Sequence, residues 1–267
     1  MLENPRSARV RAVAKLTKRR MRDETGLFLL EGPQAVREAL TYGPDGIVEL
    51  YATPAAADKH TDIARHAAEA GVDLVFTSEQ VLEAMSDTVT PQGVVAVARQ
   101  FPTSARDVFA ASPRLVAVCE QVRDPGNLGT IIRAADAAGA DAVILTGRTV
   151  DPYNPKVVRS TTGSLFHVPI ALGGELADVV DAARAAGLHV VAADVKGGDL
   201  LAARADGTLA RPTAWLFGNE ARGLEDDALA LADVALRLPI YGRAESLNLA
   251  TAASVCLYET AFAQRTP

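Results

Sequence analysis

Short apolar runs, each ended by glycine or a small polar residue and each followed by a helical pattern, recur along this chain and restrict it to an α/β fold. Residues 26–32 read as a strand ending at glycine. Pro33 then opens a helix at its first turn, where its missing N–H costs nothing. Residues 47–51, 72–76 and 93–98 are further strands, with helices over 55–70 and 78–85, the latter capped by Ser78. Residues 99–113, with two prolines and several small polar residues, read as a linker. A second series follows: strands over 115–119, 142–145, 189–193, 214–217 and 234–238, and helices from Asn127, around 175–186 and from Ser246. The expected division is 1–98, the linker 99–113, and 114–267.

Charge is distributed unevenly. Residues 1–22 carry eight Lys/Arg (Arg6, Arg9, Arg11, Lys15, Lys18, Arg19, Arg20, Arg22) against Glu3, so this arm is +7 and the remainder −13 in a chain of net charge −6. A basic arm on an acidic body is either a solvated helix end or a phosphate-binding surface, since neutralising phosphates releases counterions. No apolar run approaches the ~18 residues of a membrane span, and the basic N-terminus lacks the apolar stretch of a signal peptide. A cytoplasmic protein is expected. Cys119 and Cys256 sit in apolar strings and read as core residues. With four scattered histidines they offer no zinc-type spacing, so no metal is expected.

Three segments concentrate polar residues in otherwise apolar surroundings. Asp124-Pro125-Gly126-Asn127 is a turn leading into a helix, and Asn127 is placed to cap it. Arg133, about two turns on, either snorkels to water or pairs with an anion. Leu216-Phe217-Gly218-Asn219-Glu220 reads as a buried strand whose end carries Gly218, where another group can approach the backbone closely. Glu220 needs water or a cation, and Arg133 is a partner in reach of the pattern. In open α/β sheets, ligands lie beyond such carboxyl ends. In the third segment, 238–248, Ser246 reads as the N-cap of the last helix, whose free N–H groups attract carboxylate or phosphate. Asn248, in the same turn, has no evident packing role.

In order and sequence, Asn127-x-Gly129-x-x-x-Arg133-x-Ala135, Leu216-Phe217-Gly218-Asn219-Glu220-x-x-Gly223 and Leu238-Pro239-Ile240-x-Gly242 continuing to Ser246-Leu247-Asn248 resemble the three signature motifs of the SpoU/TrmH family of ribose 2′-O-methyltransferases, within the SPOUT class. The resemblance covers about residues 114–264. The Phe28–Gly32 run and the residues after it are similar to the smaller α/β substrate-binding domain of ribosomal RNA members, including thiopeptide-resistance enzymes.

The resemblance implies a C-terminal SPOUT domain with a deep trefoil knot, an exception to unknotted chains. It implies S-adenosylmethionine held largely by backbone at Gly218, Leu238 and Leu247, with Phe217, Ile240 and Asn248 beside them. It also implies a homodimer whose active site draws on both subunits, and a polar active-site set of Asn127, Arg133, Glu220, Ser246 and Asn248. The third motif often has methionine after its proline, where Ile240-Tyr241 stands here. The implied reaction is methyl transfer to a ribose 2′-hydroxyl of RNA, with 23S ribosomal RNA as the expected substrate. The alternatives are a transfer-RNA methyltransferase of the same family and a non-catalytic RNA-binding or assembly factor of the same fold. The absence of a Gly-x-Gly-x-x-Gly loop after the first strand of the second domain weighs against a dinucleotide enzyme.

Overall fold

A computed structural model describes residues 1–265, which form two compact units. The first comprises Met1–Phe101 together with Asp151–His167; the second comprises Pro102–Val150 and the chain from Val168 onward. Residues 151–167, though they fall inside the span 114–267, therefore pack with the first unit.

The first unit holds β1 (Leu27–Glu31), β2 (Ile47–Ala52), β3 (Leu74–Phe76) and β4 (Val94–Arg99) in the sheet order β1-β4-β2-β3. β4 runs antiparallel to both its neighbours, and β2 and β3 are parallel. Against one face pack Val10, Val13 and Leu16 of the N-terminal arm, with Val81, Leu82 and Met85 from the Glu79–Met85 helix. Ser78 caps that helix by accepting from the Val81 N–H at 3.3 Å. The helical stretch over 55–70 is broken at His60 into Pro54–Lys59 and Thr61–Glu69.

The basic arm is two helices, Ala8–Lys15 and Arg19–Thr25, and one of its arginines is structural. Arg22 is 1% exposed. Its guanidinium donates to the carbonyls of Leu16 (2.8 Å) and Thr17 (3.0 Å) and pairs with Asp151 at 2.6 Å. Asp151 also accepts from the Tyr153 N–H at 2.8 Å. A second tie is Arg159, on the Pro155–Thr161 helix, which donates to the buried Glu31 at 2.7 Å. The inserted segment thus supplies the counter-charges that the core of the first unit needs.

The second unit holds six parallel strands: β5 (Leu115–Glu120), β6 (Ala142–Thr146), β7 (Ile170–Leu172), β8 (His189–Asp199), β9 (Thr213–Phe217) and β10 (Val234–Arg237). Their order is β10-β8-β9-β5-β6-β7. β6 and β9 are buried along their whole length and β5 along all but its last residue, as expected of parallel strands covered on both faces. Cys119 lies in β5 and Cys256 in the last helix, both fully buried. The fully buried Trp215 stacks on Phe217 and donates its indole N–H to Thr260 Oγ1 at 2.8 Å, so its one polar atom is satisfied. Within residues 99–113, where two prolines suggest a linker, the chain forms a helix, Ala105–Ala110, capped by Ser104.

The chain runs outward from β5 to β6 and β7, then crosses back to β8, β9 and β10 on the other side. The sheet therefore reverses direction at β5, and a ligand crevice is expected at the carboxyl ends there. No helix among the described residues is long and apolar enough to cross a membrane.

Removing one partner of a buried ion pair leaves an uncompensated charge, at a cost of roughly 3–5 kcal/mol. Asp151→Ala is expected to lower stability by about that amount in urea unfolding, and the combined Arg22→Met/Asp151→Leu variant to recover most of it.

Candidate active site

The site is built on two adjacent strands whose ends coincide. Cys119 of β5 lies in register with Phe217 of β9, so the loops beyond them, 121–124 and 218–223, emerge side by side. The second is a tight loop in which Asn219 and Gly223 exchange backbone hydrogen bonds at 2.9 and 2.8 Å. Gly223 has φ +68°, the left-handed region that suits glycine. Gly218 is needed for a different reason. A Cβ there would lie 2.3 Å from the Gly223 carbonyl carbon and 2.4 Å from the Leu224 nitrogen. The group that approaches the Gly218 backbone is thus the loop's own return strand.

Asn219 locks this loop to its neighbour: its amide donates to the Gln121 carbonyl at 2.9 Å, and its Oδ1 accepts from the Ala221 N–H at 3.0 Å. Glu220 does the same with a charge. Its carboxylate accepts from the N–H groups of Asp124 (2.9 Å) and Arg123 (3.1 Å) and from the Asn127 amide (3.4 Å). Burial pushes the Glu220 carboxyl upward. The backbone N–H groups of Asp124, Glu220 and Arg123, with the Asn127 amide, outweigh it and hold the group below the usual carboxylate range.

Two expected caps are replaced by neighbours. Asp124, not Asn127, caps the Pro125–Ala138 helix, accepting from the Asn127 N–H at 2.8 Å. The last helix spans Leu249–Arg265 and is capped by Asn248, not Ser246; Asn248 Oδ1 accepts from Ala250 N–H (2.9 Å) and Thr251 N–H (3.3 Å). Asn127 and Asn248, freed and fixed in this way, meet each other. Asn248 Nδ2 donates to Asn127 Oδ1 at 2.9 Å. The result is a polarised relay from the Asn248-capped helix through Asn248 and Asn127 to Glu220, in which each amide both donates and accepts.

Arg133 stands apart from the relay. It is exposed and makes no hydrogen bond or ion pair with another described residue, Glu220 included. Six residues of helix separate it from Asn127, which places it about 9 Å further along the axis and on another face. The expected Glu220–Arg133 pairing is replaced by Glu220 on the helix N-terminus, where the dipole favours a carboxylate.

Beside the relay lies a cleft of about 580 Å³, in the range of small-molecule sites. Phe217, Leu238, Ile240, Ser246 and Leu247 line it, as do Asp194 and Val195 of β8. Gly218 and Asn248, also expected at the cofactor, are not among the lining residues, although their chain neighbours Phe217, Asn219, Leu247 and Leu249 are. The coil 241–248 is exposed throughout, with Ile240 and Leu247 37% and 42% exposed. Asp194, Asn219 and the backbone of Arg123 were not anticipated from sequence. Asn219 had a signal in its place between Gly218 and Glu220, whereas Asp194 lies in a long strand with no motif around it. Among the described residues no group of three or more His, Cys, Asp or Glu is placed to hold a metal ion.

Residues 114–258, which carry both loops, the relay and the cleft wall, match the SpoU rRNA Methylase family. The chain belongs to that family. Residues 7–96 match an MRM3-like substrate binding domain. The chain is 35% identical to the 23S rRNA (guanosine(2553)-2′-O)-methyltransferase RlmP of Bacillus subtilis, over 96% of this chain and 97% of that protein. The structure of an AdoMet-bound rRNA methyltransferase from Sinorhizobium meliloti superposes with TM-score 0.84 at 35% identity, covering 97% of this chain and 96% of that one. A structure concerned with 2-OH methylation of C/U34 on tRNA is 32% identical with TM-score 0.51, and covers 58% of this chain and 98% of its own.

Two expected outcomes rest on this geometry. Gly218→Ala forces the 218–223 loop off its neighbour, an overpacking cost of about 1–3 kcal/mol in denaturant unfolding. Because the folded Glu220 carboxyl is held below its unfolded value of about 4.3, its contribution to stability is complete above that value. It is lost as pH falls through the lower folded value. Wild type is therefore expected to exceed Glu220→Gln in stability at pH 7, with the difference closing on acidification below about pH 4.

Proposed function

We propose that this chain transfers a methyl group from S-adenosylmethionine to a ribose 2′-hydroxyl of RNA, with 23S ribosomal RNA as the substrate. The observation that carries the proposal is the relay Glu220–Asn127–Asn248 set against a cleft of mixed apolar and charged lining at the β5/β9 switch point. Near-complete alignment with ribosomal RNA enzymes supports the choice of RNA, as does the partial alignment with the transfer-RNA structure.

The cleft residues fit the cofactor. Phe217, Leu238, Ile240 and Leu247 offer apolar surface to a flat base, and Asp194 and Glu220 offer negative charge near a cationic sulfonium. Gly218 and Asn248, adjacent in the chain to the lining residues Phe217 and Leu247, would add backbone groups beside it. When bound, the cofactor supplies an electrophilic methyl, so alignment of the incoming hydroxyl provides much of the rate. A ribose hydroxyl is a weak nucleophile, and charge favouring its alkoxide lowers the barrier. Arg133 serves that end as a fixed positive charge, since guanidinium stays protonated at neutral pH. Ser246 and the Asn127–Asn248 pair bind ribose or phosphate.

Arg133 stands free of its own chain's relay, which suits a homodimer in which it completes the partner's site. Val255, Tyr258 and Phe262, exposed by 37%, 38% and 47%, form an apolar stripe at helical spacing on the last helix and suit such an interface. The division of labour proposed is RNA recognition by residues 1–98 and catalysis by 114–267, with the C-terminal segment threaded as a trefoil knot and the protein in the cytoplasm.

Incubation with labelled S-adenosylmethionine and total RNA should label 23S ribosomal RNA at a ribose, mapped as a site resistant to alkaline cleavage. Arg133→Ala should keep cofactor and RNA binding and lose at least about 100-fold in transfer rate. Label on a base nitrogen, or on no RNA, would overturn the reading.

A further inference from the structure

The first unit carries a groove of about 470 Å³ whose floor and rim differ sharply in chemistry. Ala8, Arg11, Ala12 and Lys15 share one face of the Ala8–Lys15 helix and form one wall. The two alanines leave depth, while Arg11 and Lys15, one turn apart, stand at the lip, exposed and without ion pairs among the described residues. The floor is apolar: Met21 and Leu27 are half-buried and Val97 is buried, and the opposite wall is Val48, 41% exposed. The one acid lining the groove, Glu49, is already neutralised. Arg9 pairs with it at 3.2 Å while lying over the Tyr51 ring at 5.1 Å, and the Tyr51 hydroxyl donates to its second oxygen.

We propose that this groove is a nucleotide subsite, taking one unpaired base of the RNA on its apolar floor while Arg11 and Lys15 hold the flanking phosphates. The inference rests on the RNA reading above and adds which surface and which form of RNA are used. Charge complementarity favours RNA over a protein partner, because Arg11 and Lys15 stand at the lip without an ion pair among the described residues, while Arg9, Arg19, Arg20 and Arg22 of the same arm are each held by an acid. Depth and apolar character favour an unpaired base over a helix, because a duplex presents phosphates and hydroxyls and keeps its base faces stacked. A cation pair one turn apart tracks a single backbone, as single-strand grooves do.

Two experiments on the full-length protein test it, with a 23S ribosomal RNA transcript as probe. Each phosphate contact to a single strand contributes about 0.7 to the slope of log K against log salt, so Arg11→Ala/Lys15→Ala should lower that slope by about 1.4. The Arg11→Lys variant should restore its share, and S-adenosylmethionine affinity should stay at the wild-type value in every variant. Val48 replaced by p-benzoylphenylalanine should crosslink to the transcript at unpaired nucleotides, read as reverse-transcription stops. An unchanged slope overturns the proposal, as do crosslinks confined to paired RNA, to a protein, or to a second copy. If wild type transfers no methyl group yet the slope falls and unpaired nucleotides crosslink, the subsite stands and the activity falls. If wild type methylates and the slope is unchanged, the subsite alone falls.

Discussion

The Glu220 carboxylate, accepting the first N–H groups before the Pro125–Ala138 helix, turns two separate loops into one body. In a parallel sheet the loops at the carboxyl edge have no hydrogen bonds in common through the strands below them. Register places the ends of β5 and β9 together, and Glu220 and Asn219, with Arg222 donating to the Gln121 side chain at 3.2 Å, join the two loops beyond those ends. The charge sits where the helix dipole is positive and where backbone donors would otherwise face water. Once it is there, Asn127 has one orientation that satisfies both ends of its amide. Asn248 is then constrained in turn, because its oxygen is committed to the last helix and its nitrogen to Asn127.

That order of dependence suits a reaction governed by position. Methyl transfer needs a donor and an oxygen in line, and small displacements are costly. The supporting parts are rigid: β9 is buried throughout, and Trp215 is anchored to Thr260. The exposed parts are the coil 241–248 and Arg133. Exposed binding elements on a fixed scaffold are the usual arrangement in α/β enzymes. The first unit depends on chain drawn from the second half of the sequence, since Asp151 and Arg159 satisfy charges placed by Arg22 and Glu31. Its integrity therefore is not a property of the first hundred residues alone.

Much of the fold was legible because parallel strands covered on both faces must be continuous apolar runs. β5, β6 and β9 stand out for that reason, and Pro33 and Ser78 mark helix starts by local chemistry alone. Short helices such as Pro155–Thr161 and Asp226–Ala230 have too few turns to show a period. The caps were displaced by two or three residues, because Asp124 and Asn127, or Ser246 and Asn248, are comparable cap residues by type. The backbone path chooses between them. In each case the displaced reading hid the more informative one, since Asn127 is free to meet Asn248 only because Asp124 does the capping.

By itself the sequence determined the α/β class, the buried strands, the basic arm and the three motif segments, because these depend on local composition and periodicity. Tertiary structure decided how they are used. It set Glu220 on backbone N–H groups instead of on Arg133, because main-chain donors at a helix start leave no mark in the order of side chains. It buried Arg22 while leaving Arg11 and Lys15 at an open groove, because only packing separates a structural arginine from its neighbours on one basic arm. It also assigned Gly218 to the return of its own loop, since an approach that would bring a Cβ within 2.3 Å of the Gly223 backbone can be seen only in three dimensions.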